Sequence, residues 1–571
     1  MEAFVKITRR VLSDESALKD ISDPVIRRVL AGRGVKNSSE AMPNLSALLH
    51  YQTLPDIEQA AQAIADAVEG GNRILVYGDY DVDGVTGAAL GLRALYALGA
   101  AEGSVNCVVP SRYDEGYGLN ANAVKEAASD GVMLIVTVDN GISCHEAATR
   151  ARELGIKLVI TDHHECQESL PEADAVVDPK RPDSVFPSKA LCGAGVLFYV
   201  LCAVRSELDA RGFFHTHHRP IMADFLDLVT IGTIGDVVPF DANNRRIVSA
   251  GIERMRCGKT VLGVKSLCRR VRCDLNSITP RNIGFDICPR INAAGRIKLE
   301  GNPALELLTN DDPQKADELS EKLDMANRRR GDYERVFCRE AVEDAMAMQG
   351  VSALTLYRKN WLPGIAGLIA GRLKERFGVP CFVFTGNGDD ELKGSARSLP
   401  GIPLGEILRR MREENPGLIL AGGGHAMAAG ATIMAGNLET FRARFSELVA
   451  QYKDKPSEQE TLTDGELPAS HLTLAFAREL ERCGPWGEGF PEPLFDGEFE
   501  VLSVYPIQNR HLRFVLLDQE GRKIQAIRLR AAVREKALQA GILVRAVYAI
   551  EINRYLGTER LQVRLEGLEP V

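Results

Sequence analysis

At 571 residues the chain is too long for a single hydrophobic core, and about three or four domains are expected. Its content of 45% hydrophobic and 26% charged residues is that of an ordinary globular protein, and no run of about 18 apolar residues predicts a membrane span. The formal net charge of −9 argues against a protein that coats DNA with its whole surface, but it is compatible with an enzyme that has one basic groove.

The cysteines and the first residues indicate a compartment. The 12 cysteines are scattered without a Cys-x-x-Cys pair, which disfavours a structural zinc site. Residues 1–6 lack the apolar core of a signal peptide. Reduced thiols and no signal peptide together predict a cytoplasmic location.

Along the chain, residues 1–50 are predicted to form a short helical segment with polar breaks. From about residue 55, short apolar runs alternate with helical patterns. The predicted strands are 73–77, 132–138 and 158–161, and the predicted helices are 86–98 and 145–154. This alternation is typical of a mostly parallel sheet with helices on both faces.

Aspartates follow several of these apolar runs. Asp139 follows the run 132–138, Asp162-His163-His164 follows 157–161, and Asp236 is predicted to end another such run. Because ligands bind beyond the carboxyl ends of parallel strands, we expect these side chains to meet at one edge of the sheet. Asp79, Asp81 and Asp83 alternate, and alternate residues of an extended segment face the same side.

Each of these segments also has an ordinary explanation. The first aspartates fit a solvated acidic turn, Asp139-Asn140 an Asx turn, the histidine pair a polar loop, and Asp236 a helix cap. Four unrelated coincidences at strand ends are a poorer explanation than one shared site. Carboxylates and imidazoles suit divalent metals, and two close metal ions suit in-line attack on a phosphodiester. The pattern therefore predicts a metal-dependent phosphoesterase.

The second half of the chain changes character twice. A long charged helical pattern between residues 313 and 350 predicts a connecting helix, whose apolar stripe is interrupted at Arg330-Gly331. A second α/β segment follows, with strands at 354–357 and 380–385, and residues 454–460 read as a linker. Short alternating runs at 511–517 and 525–529 predict a small β-barrel, for which an OB-like fold is one candidate.

Four further clusters are candidate binding sites, and three of them have two readings. The cluster His215-Thr216-His217-His218 has no carboxylate at ligand spacing, so a surface loop is favoured over a metal site. The run Gly422-Gly423-Gly424 before His425 fits a tight turn and a phosphate-binding backbone equally well. The segment 394–398 offers two hydroxyls and a guanidinium, which suit a phosphate. The arginines 328–330 form either a solvated helix face or one wall of a nucleic-acid groove.

Several motifs spread over almost the whole chain match one family. They are GDYDVDG (78–84), PSR with EGYG (110–118), LCGAG (191–195), GTIGDVVP (232–239), PRINAAGR (289–296), GGHAMAAG (423–430) and GPWG with PEP (484–493). Together they resemble the RecJ family of the DHH phosphoesterase superfamily, whose members are single-strand-specific 5′→3′ exodeoxyribonucleases. No single motif is specific, but the set is.

The resemblance implies an α/β multidomain architecture. Its parts are a parallel-sheet DHH domain, a long connecting helix, an α/β DHHA1 domain and a C-terminal OB-like β-barrel, which together enclose a channel for one strand. The expected boundaries are an N-terminal helical segment at 1–50, the DHH catalytic domain at 51–302, the connecting helix at 303–350, the DHHA1 domain at 351–453 and an OB-like nucleic-acid-binding domain at 461–571.

The resemblance also implies two divalent ions, Mn²⁺ or Mg²⁺, with a shared set of ligands: Asp81, Asp83, Asp139, His163 and Asp236. Asp139 would bridge the ions, Asp79 would assist catalysis, and His164 would touch the scissile phosphate. The implied reaction is hydrolysis by a metal-activated water that releases 5′-mononucleotides stepwise, in DNA recombination and repair.

The substrate contacts and partners are likewise implied by the resemblance. Single-stranded DNA would be held at its 5′-terminal phosphate by Arg112, Arg290, Ser395 and Arg397, and along its backbone by Arg296, Asn327 and His425. A single-strand-binding protein and a RecQ-type helicase are implied partners, and no membrane is. The chain departs from the usual family pattern at Leu362, Ala396 and Phe490, which bears on substrate grip and product length rather than on the reaction class.

Two other functions fit parts of the pattern. Related phosphoesterases act on short oligonucleotides, cyclic dinucleotides or pyrophosphate, but they are generally shorter and lack a C-terminal β module. A non-catalytic replication scaffold is the other alternative, and such relatives tend to lose metal ligands that this chain retains.

Overall fold

The structure, a computed structural model, describes residues 6–12, 15–111, 118–167, 169–348, 350–388, 390–452, 460–507, 511–529, 540–554 and 558–571. The chain starts with a segment of three short elements: β1 (Lys6–Arg9), α1 (Pro24–Ala31) and α2 (Ser38–Ala41). The side chain of Asp23 caps α1 by accepting from the amides of Val25 and Ile26, and Pro24 occupies the first helical position.

The first α/β domain is built around a five-stranded sheet. Its elements are α3 (Ile57–Glu69), β2 (Ile74–Gly78), α4 (Val82–Ala97), β3 (Val105–Val108), α5 (Ala121–Ser129), β4 (Leu134–Val138), α6 (His145–Glu153), β5 (Lys157–Thr161), β6 (Ala175–Val177) and α7 (Gly193–Ala210). All strands are parallel, in the order β3-β2-β4-β5-β6. β2 and β4 are buried along their whole length because helices cover both faces, which explains their continuous apolar sequences.

A helical region completes this domain. It contains α8 (Leu226–Gly235), α9 (Ala242–Arg256), α10 (Leu262–Val271), α11 (Pro280–Asn282), α12 (Cys288–Arg296) and α13 (Pro303–Thr309), with a π-helical turn at Ile283–Ile287 before α12. α8 packs on α4 and α7, so its C-terminal end lies on the side of the sheet where α4 begins.

The long helix α14 (Pro313–Met346) joins two hydrophobic cores. Leu319 and Leu323 in its first half belong to the core of the first domain, and Phe337 and Ala341 in its second half belong to a separate core. The helix continues through Arg330 and Gly331, and neither residue is among the buried residues of its apolar stripe. The predicted connecting helix itself is confirmed.

The second α/β domain has a mixed sheet. Its elements are β7 (Leu354–Tyr357), α15 (Pro363–Phe377), β8 (Cys381–Asn387), β9 (Glu391–Arg397), α16 (Leu404–Glu414), β10 (Ala421–Gly424), β11 (Ala428–Met434) and α17 (Leu438–Ala450). The strand order is β10-β11-β9-β8-β7, and only the β7–β8 pair is parallel. On β9, residues alternate between buried and half-buried, so one face of the strand is left for other contacts.

The C-terminal part forms a closed barrel. Its elements are β12 (Glu460–Thr463), α18 (Leu474–Arg482), β13 (Phe495–Ile507), β14 (His511–Leu517), β15 (Lys523–Arg528), β16 (Leu543–Asn553) and β17 (Arg560–Pro570), and the barrel order is β13-β14-β15-β17-β16. The predicted order of a parallel-sheet domain, a connecting helix, a second α/β domain and a barrel is confirmed.

The contacts of the N-terminal segment with the C-terminal part of the chain were not predicted from the sequence. β1 pairs in parallel with β12, more than 450 residues later in the chain. Arg33 donates to both carboxylate oxygens of Asp464, at 2.7 and 3.0 Å, and Arg9 donates to Asp496. The first residues therefore fasten the barrel to the first domain. Within the described ranges, no helix combines the length and the apolar character needed to cross a membrane.

Candidate metal centre

Three neighbouring strands of the first sheet end side by side. Gly78 of β2 is in register with Val138 of β4, and Val138 is in register with Thr161 of β5. The next residues are Asp79, Asp139 and Asp162, so each strand delivers an aspartate to the same edge. The chain leaves β2 towards β3 on one side and later returns to β4 on the other, which is the topological switch point where open α/β sheets bind ligands.

Asp81 and Asp83 reach this edge at the start of a helix, so the extended segment predicted for them is wrong. Asp81 caps α4, and its Oδ1 accepts from the amides of Asp83 at 2.9 Å and Gly84 at 3.3 Å. Asp83 lies in the first turn, where the helix dipole favours negative charge. Only glycine fits at 84, because a Cβ there would lie 2.3 Å from the amide nitrogen of Asp79.

Asp236 also differs from the prediction, since it follows the helix α8 and not a strand. Its side chain nevertheless reaches the cluster, where Oδ2 lies 3.5 Å from His163 Nε2. A carboxylate at a helix C-terminus is disfavoured by the dipole, so this position calls for a nearby positive charge. The next residue, Val237, has a φ of 58°, a strained conformation for a β-branched residue.

Asp139 is held in a left-handed conformation with a φ of 63°. The neighbouring Asn140 fixes the turn: its Nδ2 donates to the carbonyls of Tyr77 and Val138, and its Oδ1 accepts from the amide of Leu119. At Gly193, a Cβ would lie 2.5 Å from the Cβ of Asp139. The start of α7 is thus pressed against Asp139, which only glycine permits.

The imidazoles of His163 and His164 complete the cluster. His163 Nε2 lies 2.9 Å from Asp139 Oδ1, 3.5 Å from Asp236 Oδ2 and 3.9 Å from Asp83 Oδ2. Ligand-type atoms lie within 4.8 Å of one another in three groups: Asp79, Asp81 and Asp139; Asp83, His163 and Asp236; and Asp139, His163 and His164. The first and third groups share Asp139, and the second and third share His163.

The neighbouring Asp162 orients the histidines instead of joining these groups. Its Oδ1 lies 2.7 Å from His164 Nδ1 and accepts from the amide of His163, while its Oδ2 accepts from the amide of Ile142. Burial alone would lower the pKa of His164, but the hydrogen bond and charge of Asp162 raise it to about 9.

The electrostatics of the cluster favour a bound cation. Burial and the charge of Asp81 raise the pKa of Asp83 to about 6, although the amides of Gly193 and Ala194 donate to its carboxylate. Burial and the neighbouring aspartates raise the pKa of Asp139 and of Asp236 well above the usual value. Burial lowers the pKa of His163 to about 3, which leaves a neutral imidazole able to bind a metal. Crowded carboxylates with a neutral imidazole fit Mn²⁺ or Mg²⁺.

A cavity of about 1280 Å³ between the two α/β domains opens onto this cluster. It is lined by Tyr80 and His164 from the first domain and by Ser395, Arg397 and His425 from the second. The rings of His164 and His425 are stacked, with centroids 6.0 Å apart. The glycine run of β10 is exposed and lines the same cavity, and Gly424 packs so closely on β11 that a Cβ would lie 2.5 Å from the Ala428 carbonyl oxygen.

Other predicted substrate contacts lie elsewhere. Arg290 donates to Asp324 of α14 at 3.0 Å and to the carbonyl of Asp286. Arg296 lines a second cavity, between the first domain and the barrel, and Asn327 accepts from Arg330. Arg112 lies outside the described residues. The structure thus brings Ser395, Arg397 and His425 together with His164, but not the whole predicted set.

The remaining candidates are the histidine cluster at 215–218 and the departure from the family pattern at Leu362. His217 is exposed and stacks on Phe213 with ring centroids 4.0 Å apart, which agrees with a surface loop. Leu362 precedes α15, while its neighbour Trp361 is buried and donates to Glu340.

The sequence analysis missed Asp178, which follows β6 at the same sheet edge and is fully buried. The short apolar run 175–177 before Asp178 could have predicted it, because the same pattern precedes the aspartates at the other strand ends. It also missed the amides of Gly193 and Ala194 that hold Asp83, because backbone donors carry no sequence signature apart from the glycine.

Comparison with known proteins agrees with this geometry. Three family profiles match, "DHH family, N-terminal domain" at residues 73–233, "DHHA1 domain" at 350–451 and "RecJ OB domain" at 463–567. The chain is 38% identical to the single-stranded-DNA-specific exonuclease RecJ of Dickeya dadantii and 36% identical to that of Escherichia coli, and each alignment covers 100% of both chains. The chain belongs to the RecJ family.

The chain also matches solved structures of a relative that contain Mn²⁺ or Mg²⁺. The chain is similar to RecJ from Thermus thermophilus in complex with Mn²⁺, with a TM-score of 0.82 and 30% identity over 100% of this chain and 80% of that one. The Mg²⁺ complex of the same protein gives a TM-score of 0.76 and 28% identity, over 100% of this chain and 79% of that one. The barrel of this RecJ-family chain thus corresponds to the RecJ OB domain, and its domain order is that of the family.

Proposed function

We propose that this chain is a metal-dependent exonuclease specific for single-stranded DNA, which degrades it from the 5′ end and releases 5′-mononucleotides. The observation that carries the proposal is the cluster at the ends of β2, β4 and β5, within a chain that aligns over its full length with RecJ exonucleases. The associated cellular role is DNA recombination and repair.

The proposed ligands of two ions are Asp81, Asp83, Asp139, His163 and Asp236. Asp139 would be the bridging ligand, because it belongs to two of the three groups and its carboxylate offers two oxygens, whereas the imidazole of His163, which also belongs to two groups, offers a single nitrogen to a metal. Asp79 shares one group with Asp81 and is proposed to assist from there. When bound, divalent ions supply activation of the attacking water and stabilisation of the charge on the oxygens of an in-line displacement.

His164 is proposed to contact the scissile phosphate rather than a metal ion. Its Nδ1 is engaged by Asp162 at 2.7 Å, which fixes the plane of the ring. The raised pKa of about 9 favours a protonated imidazole, which is a good donor to a phosphate and a poor metal ligand.

The choice of the 5′ end is proposed to come from the cavity between the α/β domains. Ser395 and Arg397 alternate on β9 and line this cavity with His164 and His425, so a terminal phosphate held there would lie beside the metal cluster. Arg112 and Arg290 are further proposed contacts of that phosphate, and Arg296 and Asn327 of the following backbone. The barrel at 461–571 favours a polymer over a short substrate, since an OB domain tracks single strands.

The proposed division of the chain follows the same roles. The boundaries are 1–50 for the N-terminal segment, 51–302 for the catalytic domain, 303–350 for the connecting helix, 351–453 for the DHHA1 domain and 461–571 for the barrel. A single-strand-binding protein and a RecQ-type helicase stay predictions, since none of the described contacts bears on them.

The proposal is tested by incubating single strands labelled at either end with the full chain and Mn²⁺. Early release of the 5′ label as a mononucleotide is the expected result. Early loss of the 3′ label would overturn the polarity, and equal digestion of blunt duplexes would overturn the strand specificity. A matched reaction in EDTA should show no hydrolysis.

A further inference from the structure

Cys268 and Cys273 lie on either side of the turn that ends α10. Cys268 belongs to the helix and is buried, with 2% of its surface exposed. Cys273 follows the helix and is partly exposed. No other two cysteines of the chain are as close in sequence. The conformation of the turn therefore decides whether the two thiols meet.

The turn is a Schellman motif, which brings these two positions together. The amide of Cys273 donates to the carbonyl of Cys268 at 2.9 Å, and the amide of Arg272 donates to the carbonyl of Arg269 at 3.2 Å. Arg272 has the left-handed conformation that the motif requires, with a φ of 58°. In this motif the side chains at the two ends of the longer hydrogen-bonded loop are commonly in apolar contact. Here both of those side chains are thiols.

The two thiols affect each other. The side-chain hydrogen bond with Cys268 lowers the pKa of the Cys273 thiol, and the same bond together with burial raises the pKa of Cys268. Burial and the carboxylates of Asp286 and Asp274 oppose the lowering at Cys273 without outweighing it. Cys273 is therefore the more nucleophilic of the two, because the thiolate is the form that attacks.

The two cysteines also differ in access. Cys273 lines a cavity of about 1840 Å³ between the first domain and the barrel, together with Arg272 and Asp274. Cys268 is not part of that lining and packs in the core of the first domain. A small solute in the cavity can therefore reach the Cys273 sulfur directly, whereas Cys268 is reached through Cys273.

We propose that Cys273 and Cys268 form a peroxide-reactive thiol pair, in which Cys273 is oxidised first and Cys268 then closes a reversible disulfide. An accessible thiol beside a resolving thiol is the usual arrangement of cysteines that respond to oxidants. In reducing compartments such disulfides are typically transient. Neither thiol belongs to the three groups of metal-ligand atoms, so this chemistry is separate from the proposed exonuclease reaction.

The reaction has two steps. The Cys273 thiolate attacks one oxygen of a hydroperoxide, the O–O bond breaks, and the other oxygen leaves as an alcohol or water with the proton that the thiol released. The Cys268 thiol then attacks the sulfur of the Cys273 sulfenic acid, so that an S–S bond forms, the S–O bond breaks and water leaves. The two sulfurs lose two electrons, and the hydroperoxide gains them. A dithiol reductant reverses the disulfide by exchange.

Cys268 also protects Cys273 from irreversible damage. A sulfenic acid without a neighbouring thiol is oxidised further to a sulfinic acid, which thiol reductants do not reverse. Disulfide formation consumes the sulfenic acid before that step. The pair should therefore return to two thiols after the oxidant is removed, whereas Cys273 alone should not.

The test treats the reduced full chain with hydrogen peroxide, blocks the remaining thiols with iodoacetamide in denaturant and maps the tryptic peptides by mass spectrometry. Trypsin cleaves after Arg269, Arg270 and Arg272, so the two cysteines fall in separate peptides, 266–269 and 273–281. We expect these two peptides to appear as the first disulfide-linked pair. Dithiothreitol should separate them and restore the alkylation of both cysteines.

Three variants test the role of each thiol. Cys268→Ser should accumulate a sulfenic acid at Cys273, which dimedone traps, and then a sulfinic acid that dithiothreitol does not restore. Cys273→Ser should leave Cys268 unmodified over the same period, because Cys268 is buried. Cys257→Ser removes an exposed cysteine outside the pair and is the matched control. It should form the linked peptides at the wild-type rate.

Full alkylation of both Cys268 and Cys273 in the wild-type chain, at a peroxide dose that oxidises Cys257, would overturn the pair. Linkage of Cys273 mainly to a different cysteine would also overturn it. A faster dimedone adduct on Cys268 in Cys273→Ser than on Cys273 in Cys268→Ser would overturn the assigned order. None of these readouts depends on DNA hydrolysis, so failure of the proposed function would leave them unchanged.

Discussion

The edge of the first sheet and the cavities between the domains hold their side chains in different ways. At the sheet edge, backbone groups of the same domain fix the acidic residues: the start of α4 holds Asp81, and the start of α7 holds Asp83. In the cavity between the α/β domains, the side chains come from separate units, as with His425 beside His164. The acidic cluster is therefore preorganised within one domain, while the lining of the cavity beside it depends on how the domains are assembled.

This difference has a testable consequence. Substitutions at the sheet edge should change the rate of the chemical step and leave DNA binding and the fold intact. Substitutions that loosen the assembly should weaken binding and leave the metal site able to react.

The largest effect is expected for Asp139→Ala. Losing the proposed bridging ligand should lower kcat by about 10³-fold or more, because metal ions contribute several kcal/mol of charge stabilisation in the transition state. Binding of single strands in EDTA should change by less than about threefold, or about 0.6 kcal/mol, because no metal ion is bound under those conditions. Single-turnover rates and anisotropy measure the two quantities, and near-normal turnover would remove Asp139 from the metal site.

The second-largest effect is expected for Arg245→Met, which should loosen the packing of the N-terminal segment and the barrel region on the first domain. Arg245 is buried, its guanidinium donates to the carbonyls of Glu40, Ala41 and Cys483, and it lies 3.9 Å from the ring centroid of Phe490. Arg245→Met should lower the free energy of unfolding by about 3 kcal/mol, because three buried carbonyls lose their donor. Denaturant unfolding measures this.

The same variant should raise KM while kcat stays within about twofold of wild type, which is a loss of uniform binding. Arg246→Met changes the neighbouring arginine and serves as the control. A fall in kcat with an unchanged KM would contradict the separation of chemistry from assembly.

A smaller effect is expected at the proposed phosphate contact. Arg397→Ala should raise KM by about 10- to 100-fold for strands with a 5′ phosphate, since a charge-assisted hydrogen bond contributes about 1.5–3 kcal/mol. The effect should be much smaller for strands with a 5′ hydroxyl. Arg409→Ala, which removes an exposed arginine paired with Glu413, is the matched control. An equal rise in KM for both kinds of end would remove Arg397 from the terminal phosphate.

The pH dependence of stability follows from the raised pKa of Asp83, which burial moves from 3.8 to about 6. Between these values the folded chain keeps a proton that the unfolded chain has released. The contribution of this carboxyl to the free energy of unfolding therefore falls as pH rises from about 4 through about 6 in EDTA. Saturating Mn²⁺ should remove the fall, because the ion replaces the proton.

Thermal unfolding at a series of pH values, in EDTA and in Mn²⁺, measures this effect. Asp83→Asn is the comparison, since it cannot titrate. The same slope in EDTA for both chains would show that Asp83 does not titrate in this range.

The smallest effect is expected in the histidine loop. His217→Ala should leave Mn²⁺ affinity and activity within the error of the measurement, because His217 is exposed and stacks only on Phe213 among the described rings. Isothermal titration with Mn²⁺ checks this, and a clear loss of affinity would make the loop a second metal site.

The same contrast explains what could be predicted from the sequence. Asp139 and Asp162 were predicted at one edge because apolar runs before them mark parallel strands, and register then aligns their ends. Asp236 was placed on a strand because the apolar run before it resembles one, although the run is a buried helix. A short apolar run does not distinguish the two.

Contacts between residues that are far apart in the sequence could not be predicted. One example is the pairing of β1 with β12, and another is the hydrogen bond from Arg290 to Asp324. Both depend on how whole elements pack, which no local sequence pattern encodes.

The central claim is that the edge formed by β2, β4 and β5 holds the reactive metal ions. The most direct test is anomalous scattering from crystals of the full chain grown with Mn²⁺. The account predicts two peaks, about 3.5–4 Å apart, on either side of Asp139 and within ligand distance of His163 and Asp236. Peaks elsewhere, with none near Asp139 and His163, would contradict it.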